Sequence, residues 1–159
     1  MDQAEQLAAE VAQKARAVFD DSPVFLAYIH GSRVHGRPRE DSDLDVGYYL
    51  EGYPSAEPLL LEELALEARL CEVLGKPVDL RDLGRAPLEF RGRVLEEGLR
   101  IYCRDEVARV NLERDLLSRY HDCKEDFRRM HETQLRQYAR WGLRDGRQAQ
   151  AQRDPEQSE

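Results

Sequence analysis

The tightest constraint on this chain lies between Val24 and Leu50, VFLAYIHGSRVHGRPREDSDLDVGYYL. Here Gly31-Ser32 is followed by ten residues and then by Asp43-Leu44-Asp45. Val24 to His30 is apolar on both faces and partly β-branched, which predicts a strand covered by helices on both sides. Gly31 breaks that run, and a small hydroxyl residue follows where the chain must turn. Leu44 to Leu50 predicts a second strand, with Val46, Tyr48 and Tyr49 adding β-propensity. Alternate side chains of a strand share a face, so Asp43 and Asp45 project together while Leu44 and Val46 point into the core. Two neighbouring carboxylates repel each other, and a divalent cation is the usual compensation.

A strand end lined by Gly-Ser amides, opposite a carboxylate pair, suits a triphosphate and its Mg²⁺. The order, spacing and strand context resemble the signature of the DNA polymerase beta-like nucleotidyltransferase superfamily: Gly-Ser, ten residues, Asp-x-Asp. The resemblance covers roughly residues 5 to 103. One departure is Val34-His35 after Gly-Ser-Arg, where many relatives show a small residue and then arginine.

The remaining elements predict an α+β fold. Residues 2–20 form a helix whose stripe is Leu7, Val11, Ala15, Val18 and Phe19, and 33–42 form a loop. Residues 57–74 form a second helix with Leu66, Leu70 and Val73 on one stripe and Gly75 as its stop. Lys76 to Leu80 is a short strand with Asp79 in its middle; Asp82, three residues on, would face the other way. Residues 86–98 form a helix, with Pro87 in its first turn and Gly98 past its end, and Leu99 to Cys103 an edge strand. The order α-β-β-α-β-α-β predicts a palm-like mixed sheet packed with helices.

Three segments follow: a minimal nucleotidyltransferase domain over 1–103, a C-terminal helical extension over 104–145, and a disordered tail over 146–159. The extension holds no Gly or Pro before Gly142 and repeats apolar residues from Val107 to Trp141. It either turns back as a hairpin near 121–125, packs on another chain, or packs wholly on its own core.

Composition narrows the function further. The formal net charge of −8 argues against a nucleic-acid substrate, which calls for a basic face. Three cysteines, Cys71, Cys103 and Cys123, have no metal-ligand spacing and read as free thiols. The N-terminus lacks a signal-peptide apolar stretch, and no run reaches membrane-spanning length, so a cytoplasmic location without membrane contact is expected. His30 reads as a strand-end histidine and His35 as a loop residue near the triphosphate. Arg114 and His121 match the loose Arg-His signature of HEPN ribonucleases by coincidence, since one helix of that fold is present.

By size, the chain resembles the minimal nucleotidyltransferases whose best-described members are MntA-type antitoxins paired with a HEPN-domain toxin. The resemblance implies transfer of AMP from ATP onto a hydroxyl, expected to be a tyrosine's, of that partner, in the manner of a type VII antitoxin. It assigns Gly31, Ser32 and Arg33 to the phosphates, and Asp43, Asp45 and Asp79 to two Mg²⁺ ions. Asp79 also serves as base toward the acceptor. Two alternatives stand beside it: an antitoxin acting by binding alone, and a small-molecule nucleotidyltransferase resembling the aminoglycoside-modifying enzymes.

Overall fold

The computed structural model describes residues 2–31, 34 and 42–151, with side chains as far as Trp141. The elements run α1 (Gln3–Asp20), β1 (Val24–His30), β2 (Leu44–Leu50), α2 (Leu60–Leu74), β3 (Val78–Asp82), α3 (Leu88–Glu97), β4 (Leu99–Cys103) and α4 (Glu106–Ala151). They divide into two compact units, Met1–Tyr120 and His121–Glu159.

The first unit is built on a four-stranded sheet in the order β3-β2-β1-β4. β1 pairs antiparallel with both β2 and β4, whereas β2 and β3 run parallel, joined by α2. A parallel pair needs a crossover of this kind, because a tight turn reverses the chain. One face carries α1 and α2: Val11, Ala15, Val18 and Phe19 meet Leu66, Leu70 and Leu74 over Ile29, Leu44, Val46 and Leu80. The other face packs Tyr28, Tyr49 and Leu83 against Val94 of α3 and Leu112 and Leu116 of α4. The fully apolar run of β1 is thereby explained, since both its faces are covered.

Two expectations shift in detail. Val73 is 40% exposed, and Leu74 takes its place, because spacing by fours keeps Leu66, Leu70 and Leu74 in line on α2. Gly75 ends that helix in the left-handed conformation with φ 65°, as a C-terminal glycine does. β3 starts two residues later than expected and reaches Asp82, since Leu44 to Tyr48 of β2 supply a partner for each of its residues.

The C-terminal extension is one helix rather than a hairpin. Its first turns belong to the sheet unit, where Leu112, Leu116 and Tyr120 are buried. Arg109 bridges to Glu113 at 2.7 Å, and Tyr28 of β1 donates a 2.5 Å hydrogen bond to the same carboxylate. Tyr120 lies against α3 where Gly92 has no side chain; a Cβ there would sit 2.2 Å from the tyrosine ring. From His121 the helix forms the second unit, and every side chain from Arg128 to Trp141 is exposed. Residues 152–159 of the expected tail lie outside those described.

The Gly92–Tyr120 contact is tight enough to be tested by one methyl group. Gly92→Ala should lower stability by about 1–3 kcal/mol, the usual cost of forcing extra volume into a packed site. Denaturant unfolding of the variant beside the wild type measures it; an unchanged midpoint would show that Tyr120 does not pack there.

Candidate active site

Two strand registers bring the acidic residues together. His30 pairs with Asp45 across β1 and β2, and Asp45 pairs with Asp79 across β2 and β3. Directly paired residues share a sheet face, so His30, Asp45 and Asp79 form one row across three strands. Asp43 lies two residues before Asp45, just ahead of β2, and its charge reaches the Asp45 carboxyl. The next row is Tyr28, Gly47 and Arg81. Leu83 lies over Gly47, where a Cβ would come within 2.7 Å of its side chain.

Gly31 closes the row at the end of β1. Its φ is +83°, which favours glycine, and a Cβ would stand 2.3 Å from Asp45 Oδ2. The glycine therefore serves both the turn and the close approach of backbone to carboxylate. Ser32 and Arg33, the other residues assigned to the phosphates, lie outside the described residues, as does His35.

The electrostatics are those of crowded like charges. Burial pushes the Asp45 carboxyl above its ordinary pKa; His30 opposes this, and the Asp79 and Asp43 carboxylates add to it. His30 is held below its ordinary value, chiefly by burial; Asp45 and Asp79 favour its charge and Arg81 opposes it. The buried His30 Nε2 has no hydrogen-bond partner among the described residues. The crowded carboxylates are what a hard cation would relieve, and their all-oxygen donor set suits Mg²⁺. Among the described residues no three His, Cys, Asp or Glu side chains converge closely enough to hold a metal on their own. Magnesium commonly takes one or two carboxylates together with substrate phosphates, and Asp43, Asp45 and Asp79 fit that role.

Asp82 stands apart from the row. Its Oδ1 accepts a 2.9 Å hydrogen bond from the Gly84 amide, and Arg85 approaches it at 3.8 Å, so it stabilises the turn after β3. Sequence reasoning passed over a wall of three side chains beside the acids. The Arg81 guanidinium stacks 3.9 Å from the Phe90 ring centroid, and His30 meets the same ring edge-on at 5.4 Å. Strand alternation could have found Arg81, two residues beyond Asp79. Phe90 left no such signal, because its place depends on how α3 docks over the sheet.

The sequence model of the family described as "Polymerase beta, Nucleotidyltransferase" matches residues 13–107. No curated protein matches the chain. Solved structures share its fold, among them these three. A mutant of the toxin–antitoxin MntA–HpeT is 17% identical with a TM-score of 0.63, over 78% of this chain and 98% of that one. A toxin–antitoxin with AMP-PNP is 18% identical with a TM-score of 0.62, again over 78% and 98%. A tri-AMPylated Shewanella oneidensis HEPN toxin in complex with MNT antitoxin is 16% identical with a TM-score of 0.60, over 80% and 98%. Among the described residues no helix is long and apolar enough to cross a membrane.

The raised pKa of Asp45 carries a stability prediction with a definite sign. A carboxyl whose folded pKa exceeds its unfolded value costs the fold stability as pH rises from the unfolded pKa through the folded one, and the full cost remains above it. Asp45→Asn should therefore raise the neutral-pH melting temperature, by about 2 °C. The gain should shrink as pH falls and the wild-type carboxyl takes up its proton. Thermal melts of both proteins at pH 7 and pH 4 check this; a lower melting temperature for the variant at pH 7 would contradict it. Gly31→Ala should act oppositely, losing about 1–3 kcal/mol through its positive φ and its clash with Asp45.

Proposed function

The chain belongs to the Polymerase beta nucleotidyltransferase family, and on that basis we propose that it transfers AMP from ATP to a tyrosine hydroxyl of a HEPN-domain partner toxin. The observation that carries the reading is the row of His30, Asp45 and Asp79 with Gly31 pressed against Asp45. It sets a glycine at one strand end and an acid on a neighbouring strand for the acceptor. Support for the acceptor and the nucleotide comes from relatives in fold: one is a toxin–antitoxin with AMP-PNP, another a tri-AMPylated HEPN toxin with its MNT antitoxin.

Each residue has a role in this reaction. The backbone at Gly31 and the hydroxyl of Ser32 hold the β- and γ-phosphates, with Arg33 as a further phosphate contact. Asp43, Asp45 and Asp79 would hold Mg²⁺, which when bound neutralises the triphosphate and aligns it. Asp79 takes the proton from the acceptor hydroxyl. The hydroxyl oxygen forms its bond to the α-phosphorus in line with the departing pyrophosphate, whose bond to that phosphorus breaks. His30, kept neutral by burial, adds no charge beside Asp45. Arg81, stacked on Phe90 and two residues from Asp79, stands in the next row beside the acids. Positioning and charge neutralisation then supply most of the rate. The acidic net charge suits a protein acceptor in the cytoplasm rather than nucleic acid.

The test is transfer of label from ATP, in Mg²⁺, to protein in a lysate of the source, with the tyrosine identified by mass spectrometry. One labelled protein is expected, and Asp43→Asn/Asp45→Asn should abolish its label. Asp79→Asn should slow transfer by about 100-fold or more while ATP binding persists. Label only in small molecules would overturn the proposal in favour of a small-molecule acceptor. A partner that co-purifies without any transfer would overturn it in favour of neutralisation by binding alone.

A further inference from the structure

The second unit presents an apolar seam that its own residues do not cover. Along α4 beyond His121, Met130, Tyr138 and Trp141 are between 59% and 72% exposed. Phe127 and Tyr138 are eleven residues apart, as are Met130 and Trp141. Eleven residues make three turns, so these side chains stay in line along a nearly straight helix. An uncovered helix of about 20 residues is marginal in water on propensity alone, and burying one face is its ordinary source of stability. Exposed charges flank the seam: Asp122 and Asp126 sit near its start and Arg140 near its end, while Arg128 and Arg129, also in its first half, are paired with Glu125. At 100° per residue, Asp122, Asp126 and Arg140 fall on one flank of the seam.

We propose that this seam is the contact face of a homodimer, in which the helix from His121 onward pairs antiparallel with the same helix of a second copy. Centred on Gln134, the pairing sets Met130 against the partner's Tyr138 and Phe127 against the partner's Trp141. Sulfur on an aromatic ring and ring on ring are both favourable contacts. Gln134 meets its own copy on the two-fold axis, where two side-chain amides can exchange hydrogen bonds. Asp126 then lies beside the partner's Arg140, and the same pair forms again across the axis, as an isologous interface requires. A parallel pairing would bring the two arginine ends together, which is why the charges select the antiparallel one. The inference is independent of the transfer reaction and concerns a surface outside the sheet unit.

Sedimentation velocity on the full chain, at about 100 µM and low salt, tests it. The expected mass is twice the 18.5 kDa of one chain. Met130→Glu/Tyr138→Glu should give single chains while keeping the melting temperature of the sheet unit, since both side chains are exposed. Asp126→Arg and Arg140→Asp should each weaken the dimer about tenfold, and the two together in one chain should restore it. A single-chain mass for the wild type would overturn the proposal and leave the seam to a different protein. A dimer indifferent to Met130→Glu/Tyr138→Glu would overturn it by placing the contact elsewhere. Failure of the charge swap to rescue would overturn the antiparallel pairing.

Discussion

Like charges do not gather of their own accord, and the whole sheet unit can be understood as the means of holding Asp43, Asp45 and Asp79 together. The force comes from the far side of the sheet. Leu44, Val46 and Leu80 alternate with the acids and are buried against α1 and α2. A slip of one residue in β2 would bury two carboxylates and expose two aliphatic side chains, so the hydrophobic register dictates where the charges go. Hydrophobic burial, worth about 1.5–3 kcal/mol for each such side chain, outweighs the repulsion between half-exposed acids.

The same alternation explains what could be read from the chain in advance. Gly31, Asp43 and Asp45 were legible because a turn glycine and a period of two are local properties. Asp79 was legible because a carboxylate inside a strand is unusual, and Asp82 could be separated from it by counting faces. The wall of His30, Arg81 and Phe90 was not legible as a unit, since it joins β1, β3 and α3 through docking angles. Val73 was misplaced by one position because a stripe of threes and fours admits two solutions until the helix meets its partner. Gly92 gave no sign at all. Its reason is the ring of Tyr120, which is 28 positions further along the chain.

The long helix joins two different kinds of surface. Before Tyr120 it buries Leu112 and Leu116 against α3 and the sheet while Val107 and Val110 stay exposed; from Met130 to Trp141 its apolar residues face solvent. Arginine exceeds acid toward its far end, although the chain as a whole is strongly acidic. That contrast marks the second unit as a surface with its own partner requirements.

The topology also imposes an order on how the row is assembled. β1 and β2 pair as neighbours in sequence, so Gly31, Asp43 and Asp45 come together once a short loop closes. Asp79 arrives on a parallel strand, after α2 has crossed the sheet and docked on α1. Closing the longer loop costs more chain entropy and is the slower event. During folding Gly31, Asp43 and Asp45 are therefore brought together before Asp79 joins them. A chain emerging from synthesis would carry Gly31, Asp43 and Asp45 some thirty residues before Asp79.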